Sequence, residues 1–154
     1  MASPRDLIMR TLDTLPEMSF EIGSDELTGH VRFTARFEGS GGAAHGGFVA
    51  AVFDHVLGIV ANGDARRRTA SITVDYRSLT PIDTLLRLWA GVERVDGRKL
   101  WATASLFDAD RLCADARGLF VEVAANRSIS GGGEGGEAGP NGERRPGGNA
   151  VGGT

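Results

Sequence analysis

Asp54 is the residue that most calls for an explanation. It stands in the middle of Gly46–Ala61, a segment apolar almost all round: Phe48, Val49, Ala50, Ala51, Val52, Phe53, Val56, Leu57, Ile59 and Val60. A carboxylate among such neighbours is paired, lies at one wet edge, or serves chemistry as a nucleophile or general base. His45-Gly46-Gly47 stands at the entrance to the same segment. If the segment is a helix, its first-turn N–H groups lack intrahelical partners and sit at the positive end of the dipole. Glycines let a ligand approach that backbone closely. An acyl carbonyl placed there would meet an oxyanion hole, although the triplet also suits a plain loop-to-helix turn. Gly47 and Asp54 are seven residues apart, about 10 Å along a helix and on nearly the same face. That is too far for one small reacting group to touch both within one subunit. His55 follows Asp54 but points about 100° away, which suits a packing or interface role better than a dyad.

The length of Gly46–Ala61 favours helix over strand. Being apolar on every side, that helix is expected to be buried on every side, and Asn62-Gly63 ends it. Pro4–Leu15 reads as a short amphipathic helix, with Ser3 as cap and Pro16 as stop. Strands are predicted at Met18–Ile22, Leu27–Phe37, Thr69–Leu79, Thr84–Val95, Lys99–Phe107 and Leu112–Val123, from alternating apolar positions. Glu38–Ala44 reads as a glycine-rich loop and Asp96-Gly97 as a hairpin turn. The class is α+β, a mostly antiparallel sheet curled round one central helix. The domain spans 1–124. The remainder, 125–154, is a glycine-rich tail with too little apolar surface to order itself; Ser130–Thr154 holds 11 of the 23 glycines.

The 154 residues suit one such domain. A net charge of −3 argues against nucleic acid as the main partner. Arg66-Arg67-Arg68 reads as a solvated loop. The single cysteine, Cys113, allows no intrachain disulfide and reads as a small buried side chain. The first 25 residues lack the pattern of a signal peptide, and no apolar stretch approaches membrane-spanning length, so a cytoplasmic location is expected. His30, His45 and His55 show no metal-ligand spacing, and no cofactor fingerprint is present.

His45-Gly46-Gly47, six further residues, Asp54 and then Gly58 together resemble the PaaI-like and THEM-like hotdog thioesterases. Thr69–Arg77 is similar to that family's strand after the helix, Pro81-Ile82 to its close, and Val95–Lys99 to its next hairpin. The resemblance covers roughly 27–123. It implies a hotdog fold, in which a curved antiparallel sheet wraps one long helix. It also implies an acyl-CoA thioesterase that releases a free acid and CoA. Two protomers would join sheets edge to edge, as homodimer or homotetramer, with the glycine backbone from one and the aspartate from the other. The N–H of Gly47 or Gly46 would polarise the thioester carbonyl, His45 would support the loop, and Asp54 would act as nucleophile or general base. Thr69 matches a position where some relatives orient the water with Ser or Thr. Some relatives also carry Asn or Gln before the glycines, and Glu38–Ala44 has neither. Arg77, Arg98 and Lys99 are candidates to meet the CoA phosphates, with Arg66–Arg68 a weaker set. CoA would enter as part of the substrate, with no other cofactor or metal. A non-catalytic acyl-CoA binding module remains an alternative, as does a hotdog dehydratase or hydratase, for which His45 with Asp54 could supply a histidine–acid pair. The acyl group itself is not legible.

Overall fold

The computed structural model describes residues 14–124. The expected helix over Pro4–Leu15, all but its last two residues, and the glycine-rich tail lie outside the described residues.

Eight strands and one long helix follow in order. They are β1 (Glu17–Ile22), β2 (Glu26–Arg32), a 3-10 turn (Ala35–Phe37), β3 (Glu38–Ser40), β4 (Ala43–Ala44), α1 (Gly46–Ala61), β5 (Arg67–Tyr76), β6 (Leu86–Asp96), β7 (Lys99–Asp108) and β8 (Arg111–Glu122). Six strands form one sheet in the order β1-β2-β6-β7-β8-β5, every pairing antiparallel. β5 follows the helix in sequence but lies at the far edge, so the chain crosses over the sheet through α1.

The alternation of apolar residues explains the inner face. Leu27 and Val31 on β2, Leu86, Leu88 and Ala90 on β6, and Leu100, Ala102, Ala104 and Leu106 on β7 are all buried. The helix packs Val49, Val52, Phe53, Val56 and Leu57 against them. Gly118 on β8 lies beneath the helix, where a Cβ would meet the Phe120 ring at 2.7 Å and Leu57 at 3.3 Å. Cys113 is buried with its thiol free, as the sequence suggested.

The helix matches its expected bounds, but its burial does not. Gly47 and Asp54 are exposed, and Ala50, Ala51, His55 and Gly58 are half-buried. These positions share one strip at helical spacing. The apolar reading counted alanines as core residues, yet small side chains there leave the strip open. Three further expectations shift. The strand from Leu27 ends at Arg32, because Phe33 and Phe37 both turn inward and stack edge to face at 6.2 Å. The Asp83 amide donates to the Phe33 carbonyl at 2.6 Å, which closes that corner. The loop Glu38–Ala44 contains the β3–β4 hairpin, turned by Gly41 and Gly42 at φ 58° and 76°. Arg67 is no solvated loop residue: it is 7% exposed and opens β5.

Candidate active site

His45 is the N-cap of α1. Its Nδ1 accepts a hydrogen bond from the Gly47 N–H at 3.0 Å. Its carbonyl accepts from the amides of Phe48 and Val49, and its own N–H donates to Phe37. An imidazole Nδ1 that accepts carries its proton on Nε2. His45 is thus hydrogen-bonded to the glycine turn and occupies one of its donors. The Gly46 N–H makes no hydrogen bond among the described residues. Gly39 passes so close that a Cβ would meet the His45 Cα at 2.9 Å, so the β3–β4 hairpin packs directly on the turn.

Asp54 lies on the open strip two turns further along. Thr69, near the start of β5, donates its hydroxyl to Asp54 Oδ1 at 2.8 Å. The two residues are fifteen apart in sequence and meet because β5 returns along the helix. They line a cavity of about 490 Å³ together with Ala51, His55, Gly58 and Phe120. His55 is half-buried, 6.4 Å from the Phe20 ring, and its buried Nε2 has no hydrogen-bond partner among the described residues. Burial pushes its imidazole below the ordinary value of 6.5, against a smaller upward pull from Asp54. No hydrogen bond joins a histidine to Asp54 among the described residues.

The floor of this region is held by a residue that sequence reasoning placed elsewhere. The buried Arg67 guanidinium donates to the Ala61 carbonyl at 2.7 Å and pairs with Asp64 at 2.6 Å. It therefore caps the end of α1, while Asn62 Oδ1 accepts from the Arg67 amide at 2.6 Å. A second unforeseen residue is Tyr76, whose hydroxyl donates to the Gly46 carbonyl at 2.6 Å. Its status as the chain's single tyrosine, between Asp75 and Arg77, was a signal that periodicity alone does not use.

The three basic residues expected at the CoA phosphates do not come together. The Arg77 amide bonds Cys113 near the start of β8, whereas the Arg98 carbonyl accepts from Glu122 at its end. Nine residues of strand separate the two, about 30 Å. Arg77 is moreover held by Asp115 at 2.6 Å and by Asp75 at 3.6 Å. Lys99 instead shares a row with Arg68 across the sheet, both opposite Val121. Arg68, Arg98 and Lys99 form a basic corner without ion-pair partners among the described residues, at the end of the sheet nearer to Thr69.

A helix entered through His45-Gly46-Gly47, with an exposed Asp54 beside a wrapped antiparallel sheet, is the arrangement of a hotdog fold. Residues 41–114 match the model of the thioesterase superfamily. It is 24% identical over 95 residues to acyl-coenzyme A thioesterase THEM4 of Rattus norvegicus, covering 60% of this chain and 41% of that one. Against a thioesterase superfamily protein of known structure it has 35% identity and a TM-score of 0.64, covering 70% of this chain and 54% of the other. A hypothetical thioesterase with coenzyme A from Streptococcus pneumoniae superimposes with a TM-score of 0.72 at 12% identity, covering 79% of this chain and 97% of the other. The chain thus spans about two-fifths of the length of the rat relative. Among the described residues, no helix is long and apolar enough to cross a membrane.

Proposed function

We propose that this chain hydrolyses an acyl-CoA thioester to a free acid and coenzyme A. The observation that carries this reading is the hydrogen bond from Thr69 to Asp54, in a cavity on the same helix face as the glycine turn. By donating its one proton to Oδ1, Thr69 fixes the carboxylate's orientation and keeps two lone pairs for a water. Asp54 takes a proton from that water, which attacks the thioester carbon; attack by Asp54 itself on the carbonyl is the covalent variant. The developing oxyanion is received by the N–H groups of Gly46 and Gly47, with Gly47 exchanging its bond to His45 for the oxyanion. The C–S bond then breaks, and the CoA thiolate leaves and takes up a proton. No cofactor is required beyond the CoA moiety of the substrate.

Two protomers complete the site in this proposal. Among the described residues β5 pairs with β8 along one side only, so its other edge presents backbone groups with no strand partner there. The open strip of α1 lies beside that edge. A partner joined there, in a homodimer or homotetramer, would bring its glycine turn to Asp54 across the roughly 10 Å that separates the two within one chain. Arg68, Arg98 and Lys99 form the corner that meets the CoA phosphates. The cytoplasm is the proposed compartment, since the single cysteine leaves no intrachain disulfide to form.

The test is thiol release from a panel of acyl-CoAs: phenylacetyl, hydroxybenzoyl, and chains from acetyl to palmitoyl. Turnover of one group of these is expected. CoA binding without turnover on any of them would make the chain a binding module instead.

A further inference from the structure

The Tyr76 hydroxyl is not used by the chemistry above, and its ring contributes little burial, being 54% exposed. Yet the hydroxyl donates to the Gly46 carbonyl at 2.6 Å. The ring also lies where a Gly46 side chain would be, with its atoms 3.2–3.3 Å from an ideal Cβ. Glycine at that position therefore admits the tyrosine as well as any ligand. The Gly46 carbonyl and the Gly47 N–H belong to one planar peptide unit, coupled by amide resonance. A hydrogen bond accepted by the carbonyl draws electron density through the amide and strengthens the N–H on its other side as a donor.

We infer that Tyr76 is a positioning residue for the oxyanion hole, acting through the Gly46–Gly47 peptide. It fixes the plane of that unit against the end of β5 and polarises the Gly47 N–H toward the developing oxyanion. This rests on the thioester-hydrolase reading. It adds to that reading a residue thirty positions from the glycine turn. The ring and the hydroxyl have separable roles, since phenylalanine keeps the packing against Gly46 and loses only the donor.

The experiment compares Tyr76→Phe with wild type in the full chain. The readouts are the Gly47 amide nitrogen resonance, hydrolysis of hexanoyl-CoA and phenylacetyl-CoA, and the melting temperature. The Gly47 resonance is expected to move upfield as its carbonyl partner is lost. kcat is expected to fall several-fold, less than the roughly 10²-fold cost of removing an oxyanion donor outright, with KM and melting temperature unchanged. An unmoved Gly47 resonance overturns the inference whatever the activity. Unaltered kcat in an active enzyme overturns it and leaves the hydrolase reading standing. So does a loss of activity that comes with a raised KM and a lowered melting temperature, which marks a merely structural contact. A wild type inactive on these two and on the rest of the acyl-CoA panel overturns the inference together with the reading beneath it.

Discussion

Thr69 Oγ1 lies 2.8 Å from Asp54 Oδ1 and donates to it. The contact joins the first turn of an edge strand to the open strip of the central helix, and it decides how the carboxylate faces the cavity. Replacing Thr69 by Ala should lower kcat by about 10–10²-fold, below the full range for losing a general base. Thr69→Ser should keep most of the activity, because the hydroxyl is retained. Steady-state kinetics on the best acyl-CoA decides between them; equal rates for Ala and Ser would remove Thr69 from the chemistry.

Arg98→Ala and Lys99→Ala should each raise KM for acyl-CoA, and the increase should shrink at high salt as expected for a screened charge. Arg77→Ala should leave KM unchanged, because Asp115 and Asp75 already neutralise that guanidinium. A KM effect of Arg77→Ala as large as that of Lys99→Ala would move the phosphate site to the other end of the sheet.

The sequence exposed some parts of this site and hid others for physical reasons. The length of the apolar run, the glycine turn before it and Asn62-Gly63 after it bounded α1 at Gly46–Ala61, and the strand alternation located the sheet. Its burial was misjudged because Ala50, Ala51 and Gly58 look apolar in a list but cover little surface. Arg67 read as part of a solvated loop and Arg77 as a cation available to the CoA phosphates. Only tertiary partners show otherwise: the Ala61 carbonyl six residues back, and Asp115 thirty-eight residues on. Tyr76 escaped for the same reason, since its partner lies thirty residues upstream. Asp54 stood out as a carboxylate in an apolar helix and Thr69 came through the resemblance, while the bond between them was visible only once β5 was laid along the helix.

Among the described residues, Gly58 has nothing within 4 Å of an ideal Cβ. In a helix interior, Gly58→Ala should therefore stabilise the fold by about 1 kcal/mol, the propensity difference between the two residues. Urea denaturation measures it. Because Gly58 lines the cavity, a larger side chain there should also restrict the acyl groups accepted. A destabilising Gly58→Ala would show that another surface packs against that position.

Arg67→Ala should destabilise the fold by about 1–3 kcal/mol, since it removes a buried charged donor from the Ala61 carbonyl at the end of α1. Asp64→Ala should cost far less, because Asp64 is largely exposed and its pairing is screened. Chemical denaturation of both variants checks the ranking.

His55 gives a pH dependence of definite sign. Burial lowers its folded pKa below 6.5, so the unfolded chain binds the proton more readily. Its contribution is fully present above that value and is lost as pH falls toward the folded pKa. Stability should thus decline as pH falls through 6.5 and below, and His55→Gln should flatten part of that decline. A variant with the same pH slope as wild type would show that His55 carries no such linkage.

The most direct test of the central claim is Asp54→Asn, assayed for thiol release and for binding of the same acyl-CoA by calorimetry. The amide keeps the shape and a partner for Thr69 but cannot take a proton from water or attack a carbonyl. Hydrolysis should fall by at least about 10²-fold while affinity stays within a few-fold of wild type. Undiminished hydrolysis in the variant would contradict the assignment of Asp54 as the reacting carboxylate.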